Sequence, residues 1–364
     1  KKSKDGLFID YTGGITTGRD DWSWGFSETA VYSKINTLVN YYNEHLGDTS
    51  VYDEDNTSIS WTRSLKQRFE KKEKISFKDY RIYTGMYRPF VKKHVYYSQE
   101  LVDMQYRMAK VLPVSDSDNI MISLSNKTEG KDLTLLALNV LPDRNLFAGG
   151  SQNLPKYLYD GLGKYSSVRQ EQLKKLVGLD EEDVLAYIYG LLSSSDYENL
   201  YALDLAKSFP RIPNVKNKKA FIDIGKKLMD LHLNYEEVPV FKGVSIEKKS
   251  NPDYRVKKMK FARVRNPETG KLENDRSTII FNTDITIKYI PEKSYEYIVN
   301  GRSAIEWIMD QYQIKDKTKS GVIDDPNDFS DDPKYIFKLL LRIINVSVQT
   351  VDLVNSLPKL EEVE

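Results

Sequence analysis

Cysteine is absent from all 364 residues, which excludes a disulfide framework and every thiolate metal site. That absence agrees with a reducing cytoplasm, the location expected here. Histidine is scarce: His45, His94 and His232 stand alone, and each reads as a satisfied or exposed ring rather than a metal ligand. No apolar run approaches the roughly 18 residues of a membrane span, so no membrane partner is expected. The Lys-rich start lacks the apolar core of a signal peptide. The chain opens on Lys1 rather than Met, so a piece of a longer polypeptide is expected. Internal repeats and low-complexity segments are also lacking.

Catalytic constellations are missing as well. Gly13, Gly14 and Gly18 punctuate a loop with Trp22 and Trp24, but no GxGxxG and no Walker Lys-Ser/Thr pair accompanies them. An adenine methyltransferase needs an Asx-Pro-Pro-aromatic loop. Asn251-Pro252-Asp253-Tyr254 comes nearest, and its third residue is wrong. A metal-dependent nuclease needs an Asp followed by Glu-x-Lys. Here Asp253 is followed by Glu268 and Lys271, a misplaced Glu-x-x-Lys. The Asp-rich loop 324–332 lacks the spacing and the glycine of an EF-hand. No catalytic residue and no metal ligand are assigned.

What is present is an ordinary globular composition, 40% hydrophobic and 29% charged, long enough for two to three domains or one composite one. Net charge is only +1, yet it is segregated. Residues 61–93 hold 11 Lys/Arg against three acids, and residues 242–276 hold 11 against five. Acid gathers at Asp53 to Asp55, Asp180 to Asp183 and Asp324 to Asp332. Such sorting suits a chain with one polyanion-facing side. Solvated lysine-rich loops on a plain surface explain it equally well.

The stretch from Asp183 to Pro213 organises the rest. Val184, Leu185, Ile188, Leu191 and Leu192 recur at helical spacing. Ser193 to Asp196 offers a break and a new N-cap. Tyr197, Leu200, Tyr201, Leu205 and Ala206 continue as a second helix, closing a helical hairpin. Pro210 and Pro213 then impose an extended Phe-Pro-Arg-Ile-Pro strap.

Elsewhere, Ser27 caps a helix to about Leu46, with Val31, Ile35, Leu38, Val39 and Tyr42 on one face. Tyr80 to Tyr97 reads as two short strands around Gly85 to Pro89. A helix is expected over Leu101 to Leu112, with Met104 and Met108 inward. Strand-length runs follow at Asn119 to Leu124, Asp132 to Val140 and Leu154 to Tyr159. Ser167 to Gln170 matches a capping box for a helix to near Val177. Lys218 to Leu233 is a further helix. A basic hairpin spans 255–276 around the turn Asn266 to Gly270. Ile285, Ile287 and Tyr289 alternate as a half-buried strand. Ser303 to Glu306 is a second capping box, opening a helix to about Ile314. Asp332 and Pro333 open a final helix ending by Pro358.

Tyr187 to Pro213, YIYGLLSSSDYENLYALDLAKSFPRIP, resembles the C-terminal region of type ISP restriction–modification enzymes. The resemblance recurs in order at Tyr87-Arg88-Pro89-Phe90 with Tyr96-Tyr97, at Leu154 to Tyr159, at Gly301 to Trp307, and at Arg342 to Pro358. In these single polypeptides a nuclease, a translocase, an adenine methyltransferase and a target-recognition region are joined. The resemblance implies an α+β fold, a mixed helical and antiparallel-strand DNA target-recognition domain with a helical connector. The parts expected are a connector over 1–60, a mainly β subdomain over 61–165, a helical one over 166–237, and β hairpins followed by helices over 238–364.

The implied partners are double-stranded DNA and the methyltransferase and translocase domains of the same polypeptide. S-adenosylmethionine, ATP and Mg belong to those absent domains, and no cofactor belongs to this region. Charge and aromatic context single out Arg63, Arg81, Arg88, Lys92, Lys93, Lys257, Lys258, Lys260, Arg263 and Arg265 as DNA-binding. The family motif places an acid and an Arg after Pro-Phe, where this chain has Val91 and Lys92-Lys93, so any base contact tied to those positions stays open. An inter-domain coupling module with little DNA contact, or a methyltransferase fragment, are the other readings. On the residues alone, a tyrosine-rich packing face at 80–97 and an edge-protected surface hairpin at 255–276 remain open too.

Overall fold

The computed structural model describes residues 5–52, 59–125, 133–205, 208–316 and 318–363; Asp53 to Asp55, Asp132 and Ala206 lie outside them. The larger elements are α1 (Glu28–Glu44), α2 (Arg63–Glu70), β1 (Ile82–Arg88), β2 (Val91–Tyr96), β3 (Met121–Ser125), β4 (Leu135–Leu138), β5 (Ser151–Pro155), β6 (Tyr157–Asp160), β7 (Gly163–Ser166) and α3 (Val184–Leu192). They continue with α4 (Lys218–Leu233), β8 (Ser245–Lys248), β9 (Lys260–Arg265), β10 (Leu272–Ile280), β11 (Ile285–Lys288), α5 (Ala304–Gln311) and α6 (Tyr335–Asn355). The fold is α+β.

Three four-stranded sheets carry it. One runs Thr12–Gly13, β5, β3, β4, all antiparallel. A second runs Trp24–Gly25, β2, β1, Leu141–Pro142, the last pairing parallel. The third, β8-β11-β10-β9, is antiparallel. The largest core joins Val91 and Val95 of the second sheet to Ile279 and Ile287 of the third, with Ile305, Ile308, Leu340 and Ile344 of α5 and α6 laid against both. A second core packs α3 and α4 on Ile122, Leu124 and Leu154 of the first sheet. A third closes α1 on Leu65 and Phe69 of α2.

The helical partner of α3 is α4, not the short helices at Ser195–Leu200 and Ala202–Leu205 expected to form a hairpin with it. Two glycines allow this. A Cβ on Gly190 would sit 2.1 Å from the Phe221 carbonyl oxygen, and one on Gly225 would sit 1.9 Å from that of Ala186. The backbones therefore meet directly, which any side chain would forbid. The Ser193–Asp196 break forms no side-chain cap; Ser193 bonds back to Tyr189 O instead. The strap is clipped by tyrosine hydroxyls, Tyr187 donating to Pro213 O at 2.5 Å and Tyr197 to Arg211 O at 2.7 Å.

Other expectations give way to tertiary pairing. Leu101 to Leu112 is not a helix: Met104 exchanges backbone hydrogen bonds with Thr16, and only a short 3-10 turn forms at Met108–Lys110. Met108 is buried but Met104 is half exposed. Ser167 caps nothing, because its hydroxyl is spent on the Pro155 carbonyl, and the helix there covers only Gln170–Leu173. The strand expected over Leu154 to Tyr159 is broken at Lys156. Tyr289 leaves β11 with a φ of 62° and stands exposed. Asp332 receives the Lys334 N–H, and the last helix begins at Tyr335 with Lys334 as N-cap. The Ser303–Glu306 capping box is present in full.

His232 on α4 joins the first two cores. Its Nδ1 lies 2.6 Å from the Tyr189 hydroxyl and its Nε2 2.8 Å from Thr350 Oγ1. Burial pushes the imidazole down to about 3. The unfolded chain, with an ordinary value near ~6.5, takes up a proton first as pH falls. His232 therefore stabilises the fold above about pH 6.5 and progressively less below it, by about 2 kcal/mol at pH 5. Urea unfolding of the wild type and of His232→Leu across pH 5–8 checks this. The difference between the two curves should slope with pH only below about 6.5.

Candidate nucleic-acid interface

The ten basic residues chosen from charge meet different fates. Lys93 lies on the buried phase of β2 with Val91 and Val95. Its ammonium pairs with Asp324 Oδ2 at 2.5 Å and sits 4.1 Å over the Phe26 ring. Burial lowers its pKa, and Asp324 pulls the other way. Lys92 pairs with Glu236, which also receives the Tyr335 hydroxyl. Arg88 stacks on Tyr87 at 4.0 Å and pairs at 2.9 Å with Asp143, which is 2% exposed. Burial pushes the Asp143 carboxyl up to about 7, Asp20 adds to this, and Arg88 works against it. Arg81 is held between Tyr80 and Tyr83. Of the five candidates from this first cluster only Arg63, at the start of α2, is exposed. Arg88, Lys92 and Lys93 are thus internal ties and not free surface cations.

The second cluster stays on the surface. Lys257, Lys258, Lys260, Arg263 and Arg265 are all exposed. β9 and β10 begin as part of the third sheet and then leave it. Phe261 faces Ile279, but the next residue, Ala262, faces Asp275, so Arg276, Ser277 and Thr278 bulge from β10. A bulge bends and twists a ribbon away from its sheet. Beyond it, Arg263 to Asn274 carry no buried residue on either face. The tip is closed by Asn266, whose side chain accepts the Glu268 and Thr269 N–H groups, and by Gly270 at φ 67°.

Pairing of Arg263 with Asn274 and Arg265 with Leu272 puts those four side chains on one face. Ala262, Val264, Glu273 and Asp275 take the other. Arg263 bonds Asn274 Oδ1 at 2.9 Å and Leu272 O at 2.7 Å, and Arg265 bonds Gly270 O at 2.7 Å.

The ribbon's root is fixed. Arg276 stacks on Tyr295 at 4.5 Å and pairs with Glu306 at 3.0 Å. Arg255 pairs with Asp325 at 2.7 Å, and Asn327 bonds both the N–H and the carbonyl of Val256. Asn274 was beyond charge counting; only the strand register reveals it. Among the described residues no group of three or more His, Asp or Glu is placed to hold a metal, and no helix is long and apolar enough to cross a membrane.

A basic two-stranded ribbon projecting from an α+β body has the build of a nucleic-acid-recognition module. The family model for the Type ISP C-terminal specificity domain matches residues 6–339, and the chain belongs to that family. Its structure is similar to that of the ATP-dependent type ISP restriction–modification enzyme LlaBIII bound to DNA. Identity is 57% and TM-score 0.92, over 100% of this chain and 24% of that one. A nuclease-deletion mutant of the type ISP enzyme LlaGI with a DNA substrate mimic is 40% identical, TM-score 0.88, over 99% and 28%. A DrdV–DNA complex is 26% identical, TM-score 0.84, over 97% and 36%. The chain thus spans about a quarter to a third of these proteins. No curated protein matches it.

The placement of Lys93 has a measurable consequence. Removing one partner of a buried pair strands the other charge. Lys34 also lies by Asp324 and softens the loss. Lys93→Met should lower unfolding free energy by about 3 kcal/mol, whereas Lys258→Met on the exposed ribbon root should stay within about 0.5 kcal/mol. Denaturant unfolding measures both.

Proposed function

We propose that this region is the duplex-DNA target-recognition element of a type ISP restriction–modification polypeptide. In this reading it holds no catalytic residue, and its recognition directs adenine methylation and ATP-dependent translocation and cleavage by other domains in the cytoplasm. S-adenosylmethionine, ATP and Mg²⁺ would then belong to those domains.

The projecting ribbon carries the proposal. A two-stranded ribbon fits the major groove, about 12 Å wide. Lys257, Lys258 and Lys260 at its root are exposed and suit phosphates, which fix register without reading sequence. The face bearing Arg263, Arg265 and Asn274 holds the side-chain types that bond guanine and adenine edges. Arg263 spends only part of its donor set on the ribbon, which leaves further N–H groups for a base edge. The DNA-bound states named for LlaBIII and LlaGI support the same reading.

Replacing Lys257, Lys258 and Lys260 together with Ala in the full polypeptide should weaken binding to all duplexes alike. The slope of log affinity against log salt should become shallower by about 2.7, some 0.9 for each phosphate no longer neutralised. Arg263→Ala should instead cost about 1–3 kcal/mol at one base position only. Fluorescence anisotropy over a salt series distinguishes the two, and an unchanged slope in the triple variant would refute the placement.

A further inference from the structure

A second polar surface lies on the first sheet, away from both basic clusters in sequence. Tyr11, Thr12, Gly13, Tyr106, Arg107, Arg144 and Gln152 line an open cleft of about 350 Å³. The Arg144 guanidinium lies on a floor of glycines. A Cβ on Gly150 would fall 1.3 Å from Arg144 Nη1, so any side chain there would displace the guanidinium, and its φ of 94° favours glycine. A Cβ on Gly13 would press on Arg144 Cδ at 3.3 Å. Among the described residues the Arg144 head makes one hydrogen bond, a long one of 3.5 Å to Ser151 O.

Gln152 sits beside it on β5, its backbone paired to Gly13 on one side and Leu124 on the other. Its side-chain amide has no hydrogen-bond partner among the described residues. Arg107 is drawn toward Asp10, its Nη1 donating to both carboxylate oxygens at 2.6 Å each. Tyr106 walls the cleft half exposed, with φ 51°. A non-glycine residue held there is strained, and such strain collects at functional sites.

The cleft is braced from behind. Asp143, next to Arg144, is buried and pinned by Arg88 and by the Asn145 N–H. The chain therefore turns one residue inward and the next outward. A single loop links this turn to the ribbon. Asn300 receives the Ala148 N–H, while Tyr295 of the same stretch donates to Arg276 O at the ribbon root.

We infer that Arg144 and Gln152 are specificity-determining residues, reading base edges of the target duplex at a second station tied to the ribbon root through the 295–300 stretch. This rests on the DNA-recognition reading above. An Arg fork matches the two acceptors of guanine and a Gln amide the donor–acceptor pair of adenine. The two share one glycine-floored cleft, Arg144 with a single long hydrogen bond and the Gln152 amide with none among the described residues. Arg88 then acts as a positioning residue that holds the Arg144 turn.

The test is selection of bound duplexes from a randomised library by the full polypeptide, as wild type, Arg144→Lys and Gln152→Leu, with melting of each variant recorded. Arg144→Lys keeps the charge and removes the fork. Preference at one base position should fall roughly ten- to hundredfold, other positions holding. Gln152→Leu should relax a different position. Variants that select the wild-type sequence overturn the assignment while leaving the recognition function standing. So does a uniform loss at every position by variants that melt as the wild type does. A wild type that selects no sequence at all overturns the recognition reading itself. Should Arg144→Lys not fold, Gln152→Leu decides alone, since its backbone pairs remain.

Discussion

One half-buried carboxylate holds three distant parts of the chain in register. Asp324 receives the Phe26 N–H at 2.9 Å on one oxygen and the Lys93 ammonium on the other. Lys34 adds its charge from α1, where it donates to the carbonyls of Asp21 and Trp24. Burial works against ionising Asp324, but the cations and the Phe26 N–H prevail and hold it below the usual carboxylate range. Lys34, buried among carbonyls, is itself lowered to about 8. A buried pair is weak as a source of net stability, since desolvation cancels most of the attraction. Its use is positional: an apolar contact could slide, whereas this carboxylate has a short list of donors it can face.

The next residues extend that constraint to the ribbon. Asp325 and Asn327 grip Arg255 and Val256, so the segment leading into β9 is tied to the one that grips β2 and the N-terminal loop. Lysine and arginine thus divide by work. Some set geometry from inside, and others stand on the element so positioned. Counting charge along the sequence cannot separate them. Strand phase separates some: Lys93 shares the inward phase with Val91 and Val95, a pattern legible in the order of residues alone. Lys92 and Arg88 resist even this test, because their partners Glu236 and Asp143 come from remote strands and loops.

Much of the fold was legible where local and tertiary preferences agree. The helix Lys218–Leu233 has the bounds its periodicity gives, and the Ser303–Glu306 box closes as its spacing implies. The expectation failed where a residue had a better remote partner. Met104 pairs with Thr16, Ser167 with Pro155, and α3 with α4 through two glycines whose role depends on each other. The helix Arg63–Glu70 was read only as charge, although Thr62 caps it and Leu65 and Phe69 stand four apart on its inner face.

The ribbon and the cleft differ in how the sequence discloses them. The ribbon is a dense basic run with a turn signal, so its existence is visible and only the grouping of its side chains by face is hidden. That face emerges from the bulge: with three extra residues in β10, Asn274 and not Ser277 or Thr278 stands opposite Arg263. Arg144 has no local signal at all. It is one arginine after an apolar run, and its role depends on Gly13 and Gly150 being without side chains beneath it. Surfaces assembled from strand register and missing Cβ atoms leave almost no trace in composition. A reading by charge finds an exposed lysine run before it finds a face set by register or a guanidinium seated on glycines.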